Sequence, residues 1–223
     1  TEDGNITTLG RGGSDTPAVA VAAALKADLC EVFTDVDGVY RADPRICPSA
    51  RKLAKISYEE MLELASLGAK VLQIRSVEFA AKYKVNLVVR SSFNDEAGTL
   101  VTDEEKSMED IIVSGIALDE SEAKIALRDL PDRPGISKQV FGNIAEANVN
   151  VDMIIQNTGA DGLADLSFTV PAEDLSKAEK IIHQLNGKLG FSRVDSERDI
   201  PKVSIVGIGM RAHAGAAAKA FKL

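Results

Sequence analysis

Thr7-Thr8-Leu9-Gly10-Arg11-Gly12-Gly13-Ser14-Asp15 sets three glycines, an arginine, a serine and an aspartate directly ahead of an alanine-rich apolar run. Glycines let a backbone turn tightly and present N–H groups to an oxyanion. A helix following such a turn adds the positive end of its dipole. Arg11 can grip a carboxylate or a phosphate through two parallel hydrogen bonds. Ser14 and Asp15 can touch a ligand or its metal. The same residues also make a plain Gly-rich turn in which Ser14 or Asp15 is the N-cap.

Outward from that loop, residues 16–28 read as a buried helix, with Pro17 in its first turn and alanines for close packing. Leu29 to Val36 reads as a strand that runs into a polar loop. Helix, buried strand and a polar loop at the strand's carboxyl end predict an α/β layout, in which ligands gather at those ends. Residues 41–49 form a proline-broken loop. Residues 57–83 read as helical, with a Ser57/Glu60 capping box and a break at Gly68. Asn86 to Arg90 is a short strand, and Gly98 to Val101 stays with this half.

The second half changes rhythm. Strand patterns run from Ile111 to Asp129, then Pro131 to Gly135 turns the chain. A helix follows with Ile136, Val140, Phe141, Ile144 and Ala145 on one face. Strands at 149–156 and 163–170, a helix at 172–186 and a strand at 191–198 complete a βαββαβ order, the ferredoxin-like arrangement. Ile200 to Gly209 starts another strand, and a helix from about Ala212 runs to Leu223. That is the opening of a second small module. The predicted domains are 1–104, 105–199 and 200–223.

Composition bounds the functions. The 223 residues are 45% hydrophobic and 27% charged, as in a soluble globular protein. A net charge of −8 argues against nucleic acid and anionic membrane as partners. No segment reads as a signal peptide or a spanning helix. Cys30 and Cys47 fit no metal or redox spacing and read as reduced thiols of a cytoplasmic protein. His183 and His213 are the only histidines, so no protein metal site is predicted. Thr1 is not a start methionine and Leu223 stops inside a helix pattern, so the chain is expected to be a piece of a longer protein.

Three further stretches carry chemistry. Thr34 to Arg45 holds Thr34, Asp35, Tyr40, Arg41, Asp43 and Arg45 in one loop. It reads either as a polar turn or, beside the first loop, as a nucleotide site. There Tyr40 packs on base or ribose, Arg45 meets phosphates, and Thr34 with Asp35 reads the nucleoside. Lys70, after Gly68, is a phosphate lysine or a solvated helix-end charge. Asp132-Arg133-Pro134-Gly135-Ile136 opens a helix N-terminus suited to a carboxylate. Across from it, Asp152, Gln156 and Asn157 suit an ammonium or amide, so a free amino acid fits the pair. Helix cap and strand-end polarity are the alternative. Gly207-Ile208-Gly209-Met210-Arg211-Ala212 matches the dinucleotide pattern G-x-G-x-x-A, yet no acidic residue lies about 20 positions on. It reads as a module start.

The combination resembles one family. Thr7 to Asp15 (TTLGRGGSD), Thr34 to Arg45 (TDVDGVYRADPR) and Gly68 to Glu78 (GAKVLQIRSVE) are similar to the carboxyl-terminal half of an aspartate kinase catalytic domain. Asp132 to Gly135 (DRPG) and Val151 to Asn157 (VDMIIQN) resemble its first ACT domain, and Ile200 to Leu223 the start of the second. The resemblance covers essentially the whole chain. It implies a partial amino-acid-kinase αβα sandwich followed by ACT units. The implied reaction is phosphorylation of L-aspartate by ATP, with Mg²⁺ as the ATP complex, opening lysine, threonine and methionine synthesis.

By this resemblance Arg11, Gly12, Gly13 and Ser14 hold the aspartate, and Ser14 and Asp15 lie near the phosphates and Mg²⁺. Thr34 and Asp35 contact the nucleoside; Tyr40, Arg41, Ala42, Asp43, Pro44 and Arg45 line the nucleotide site; Lys70 meets it from the helix break. Gly135, Ile136, Asp152, Met153, Ile154 and Thr158 face an effector, lysine or threonine or both. A homo-oligomer through ACT domains is implied. The family's Lys-Phe/Tyr-Gly-Gly loop is absent from these residues, so the chain alone is expected not to turn over. A regulatory ACT subunit, a bifunctional aspartate kinase–homoserine dehydrogenase and another amino-acid kinase are the rivals. About a hundred residues of kinase half oppose the first, and the ACT half opposes the last.

Overall fold

The computed structural model describes residues 13–69, 71–103, 113–159 and 161–207, together with Gly4, Thr7, Met210, Gly215 and Ala218. The chain divides into two compact units. One runs to Leu118 and resumes at Val203; the other is Asp119–Lys202.

In the first unit, α1 (Asp15–Leu25) follows from its alanine-rich sequence and buries Val19 and Ala22. It ends where Lys26 turns left-handed, with its N–H on the carbonyls of Ala22 and Ala23. Strand β1 (Cys30–Thr34) is shorter than the predicted 29–36, because Asp35 to Gly38 already turn. Strand β2 (Lys55–Ser57), only three residues long, was not predicted. It leads into α2 (Tyr58–Ser66), whose capping box is present: Ser57 Oγ accepts the Glu60 N–H and the Glu60 carboxylate accepts the Ser57 N–H. The helical stretch does break, with Gly68 at φ +109°, and α3 (Ile74–Tyr83) resumes after it. Strands β3 (Leu87–Ser91) and β4 (Thr99–Thr102) complete a sheet ordered β1-β3-β4-β2. β1 and β3 are parallel, β3 and β4 antiparallel, and β2 is parallel to β4. Val19, Ile56, Met61, Val77, Leu87 and Val101 fill the core.

The second unit has the anticipated βαββαβ order. Its elements are β5 (Gly115–Pro131), α4 (Ile136–Glu146), β6 (Ile154–Thr158), β7 (Leu163–Pro171), α5 (Leu175–Leu189) and β8 (Arg193–Val206). The sheet order is β6-β7-β5-β8. Ile136, Val140 and Ile144 of α4 are buried as periodicity predicts, with Phe141 packed against the same core. Ala145 is exposed, a correction to the predicted face. Phe141 meets Phe168 edge-on at 5.4 Å.

Two further boundaries differ from expectation. Residues 149–153 precede β6 rather than belonging to it, although Asp152 and Met153 still bond to Thr169 of β7. The separate strands predicted at 191–198 and 200–209 are one strand, β8. Asp199 at φ +58° kinks it without reversing it. Pro201 is tolerated because β8 lies at the sheet edge, where a missing N–H is accommodated. No helix among the described residues is long and apolar enough to cross a membrane.

Candidate functional site

Arg11, Gly12 and Lys70 lie outside the described residues. Gly13 is half-buried in the turn ahead of α1, and Ser14 is its exposed N-cap residue. Ser14 makes no side-chain cap; its Oγ donates to Asp15 Oδ1 at 3.3 Å. The first-turn N–H groups of α1 are thus not taken by Ser14. Ser14 thus holds the N-cap position, as one alternative from the sequence has it, but without a side-chain capping bond. Next to this turn, Thr16 Oγ1 donates to Gln73 Oε1 at 2.6 Å. Gln73 is the N-cap residue of α3, so the start of α1 and the start of α3, close in sequence to Lys70, are tied together.

The loop after β1 is built by short-range bonds. Thr34 Oγ1 donates to Asp35 Oδ1 at 2.9 Å. Tyr40 O–H donates to Asp37 Oδ1 at 2.9 Å, and Lys52 Nζ donates to Asp37 Oδ2 at 3.1 Å. Lys52 also reaches Glu96 Oε2 at 3.3 Å. The backbone closes the loop: Leu53 N–H bonds Val39 O at 2.8 Å and Arg41 N–H bonds Arg51 O at 3.0 Å. Thr99 Oγ1 of β4 accepts the Val39 N–H at 2.8 Å and donates to Leu53 O at 2.6 Å, fixing both sides.

Burial opposes ionisation of Asp37, but hydrogen bonds from Tyr40 and Lys52 outweigh it and hold the carboxyl below its ordinary value. The bond to Asp37 pushes the Tyr40 phenol up. Arg41 is exposed, Ala42 half-buried and Pro44 exposed. Arg45 forks onto Asp43, with Nη2 at 2.7 Å and Nε at 3.0 Å from its carboxylate oxygens, and its own N–H bonds Asp43 Oδ1 at 2.9 Å. That pairing holds the Asp43 carboxyl low and raises Arg45. The Arg45 side chain is 84% exposed, so the pair is weak and its guanidinium is available to an anion at low cost. Among the described residues no hydrogen bond or ion pair joins 13–15 to 34–45.

In the second unit Gly135 is the N-cap residue of α4 at φ +89°, and open space surrounds the place a Cβ would take. Ile136 is buried behind it. Gln156 of β6 spans the gap to this turn: its Nε2 donates to Asp132 Oδ1 at 3.4 Å, and Ser137 Oγ donates to its Oε1 at 3.4 Å. Asp132, Ser137 and Gln156 are therefore brought together; Gln156 is the one member of the strand-side set, Asp152, Gln156 and Asn157, that hydrogen-bonds to this turn among the described residues. Asp152 is elsewhere engaged. Lys202 of β8 donates to its Oδ2 and lies 3.5 Å from Glu122 Oε1. Burial disfavours the Lys202 charge, but Asp152 and Glu122 outweigh it, so its ammonium is held above its ordinary value. Met153, just before β6, is exposed, as are Ile154 and Thr158 within it.

Sequence reasoning missed Lys52, Glu96, Thr99 and Lys202. Lys52, Thr99 and Lys202 stand in no polar cluster, and Glu96 lies in the polar stretch Ser91–Glu96 without a mark of its own; each acquires its role through pairing with a distant stretch.

Comparison with known proteins bears on the same residues. Residues 1–91 match the amino acid kinase family and residues 118–185 match the ACT domain. The chain is 56% identical over 222 residues to an aspartokinase of Pseudomonas aeruginosa, covering 99% of this chain and 54% of that protein. It is similar to the crystal structure of E. coli aspartokinase III in complex with aspartate and ADP, with a TM-score of 0.78 at 28% identity, over 98% of this chain and 49% of the other. The same enzyme in complex with lysine and aspartate gives a TM-score of 0.70 at 29% identity, over 92% and 45%. The chain spans about half the length of the curated relatives it matches.

Proposed function

This chain belongs to the aspartate kinase family, and from that membership we propose that it supplies the carboxyl-terminal half of the catalytic domain, with its regulatory module, to an enzyme that phosphorylates L-aspartate. The γ-phosphoryl group of ATP passes to the side-chain carboxylate, giving ADP and 4-phospho-L-aspartate. One observation carries the reading: the 56% identity to an aspartokinase extends over 222 residues, a span that takes in the Gly-rich loop, the Thr34–Arg45 loop and the β6 region.

In such a transfer, positioning and charge neutralisation do most of the work. Arg11, Gly12, Gly13 and Ser14 hold aspartate, with Arg11 on a carboxylate. Ser14 and Asp15 face the phosphates of the Mg²⁺–ATP complex. Thr34 and Asp35 read the nucleoside; Tyr40 to Arg45 and Lys70 line the rest of the nucleotide site. The acceptor for an amino-acid effector, lysine or threonine or both, is formed around Gly135, Ile136, Asp152, Met153, Ile154 and Thr158. The module comprises 105–199, with a second beginning at 200. The exposed strand β6 supports pairing of copies through these modules. The enzyme works in the cytoplasm, in keeping with the free thiols of Cys30 and Cys47.

The test is ADP release by the full-length protein that carries this segment, with L-aspartate and Mg²⁺–ATP. Aspartate-dependent release is expected, with Arg11→Ala raising KM for aspartate and Tyr40→Ala raising KM for ATP. ADP release that ignores aspartate would overturn the assignment. These 223 residues alone, without a Lys-Phe/Tyr-Gly-Gly loop, are expected to give no turnover.

A further inference from the structure

Lys52 lies between two carboxylates, and its stem packs on the tightest point of the Thr34–Arg45 loop. Its ammonium bonds Asp37 at 3.1 Å and Glu96 at 3.3 Å, with only a quarter of the side chain exposed. Asp37, 28% exposed, uses its second oxygen for the Tyr40 hydroxyl at 2.9 Å. The backbones of Tyr40 and Lys52 also pair as an antiparallel bridge. A Cβ placed on Gly38 would come within 3.0 Å of Lys52 Cδ. The chain Lys52–Asp37–Tyr40 therefore fixes one ring by one ammonium, beside the buried backbone turn at Gly38 and Val39. Without that ammonium, the carboxylates of Asp37 and Glu96 stand unneutralised near each other, and like charges repel.

We propose that Lys52 is a positioning residue for nucleotide binding: through Asp37 it holds the Tyr40 ring in the orientation that receives the nucleotide. This rests on the reading of Thr34–Arg45 as the nucleotide loop. Lys52 touches no reacting atom in this role. It sets the geometry in which ATP is met and spares the loop an ordering cost on binding. The effect therefore belongs to KM for ATP rather than to kcat.

The experiment measures steady-state kinetics of the full-length protein with Lys52→Met, Lys52→Arg, Asp37→Asn and Tyr40→Ala, each checked by thermal melting. Lys52→Met is expected to raise KM for ATP by about three- to tenfold, the range of one partly exposed charge-assisted bond, with KM for aspartate in place. kcat is expected to stay within about twofold. Lys52→Arg, which keeps the charge, should recover most of the loss. On an Asp37→Asn background, Lys52→Met should add nothing, because the two act in series. Wild-type KM for ATP in Lys52→Met, alongside a raised value in Tyr40→Ala, would overturn the role of Lys52 and leave the nucleotide loop standing. If Tyr40→Ala leaves KM for ATP in place as well, the loop reading falls and takes the inference with it. Should Lys52→Met fail to fold, Asp37→Asn decides: a raised KM for ATP supports the relay, a wild-type value overturns it.

Discussion

At Gly38 the chain adopts φ +147°, and a Cβ there would lie 2.6 Å from Thr99 Oγ1. That oxygen cannot retreat cheaply, since it joins Val39 N–H to Leu53 O. Gly38→Ala is expected to destabilise the protein by about 1–3 kcal/mol through strain and a broken buried bond, read as a lower urea midpoint. An unchanged midpoint would mean that the loop relaxes freely. The residue scale also shows what the sequence can and cannot reveal. Thr34, Asp35, Tyr40 and Arg45 were legible because polar types crowd into twelve positions. Lys52 was not, since nothing in Ala50-Arg51-Lys52-Leu53 marks it. Its meaning comes from a backbone bridge back to Tyr40. Asp152 was legible as a polar strand-end group, while its partner Lys202, 50 positions away, was not.

Among the elements, α2 was the most readable, because a capping box is local and its two members sit three positions apart. Ser57 is buried, and its hydroxyl accepts the Glu60 N–H at 3.2 Å. Ser57→Ala is expected to cost about 0.5–2 kcal/mol, measured as a shift in denaturation midpoint, with Ser57→Thr restoring much of it. A midpoint within error of wild type would show that the cap is redundant with packing. Glu60 is held a second time, by Ser114 far along the chain, which local spacing could not foretell. Strand β2 escaped notice for a different reason. Three residues are too few to display an alternation, and its existence depends on pairing with β4. β8 is continuous where the sequence reading starts a second module at Ile200, because an edge strand tolerates both the positive φ of Asp199 and the missing N–H of Pro201.

Across the whole molecule, the βαββαβ unit was read correctly from order alone, since two apolar periodicities alternate along it. Its β6 edge is exposed throughout, with Ile154 and Ile155 at 52% and 48% and Met153, just before the strand, at 39%. An unpaired apolar edge is a template for association. In the full-length protein, Ile155→Asp is expected to shift the assembly toward monomer, seen as a lower mass in sedimentation or light scattering. A mass identical to wild type at low concentration would remove β6 from the pairing surface.

The route of the chain also carries a genetic consequence. The first unit is left after Leu118 and re-entered at Val203, once within β5 and once within β8. A single crossover at either junction between two such genes would therefore leave one strand made of mismatched halves and draw the rest of the first unit from both parents. Exchange of the regulatory unit as a cassette requires paired recombination events, one at each junction, both in register with the pleat. Lineages trading this unit should carry its two strand halves together, inherited as one block rather than drifting apart.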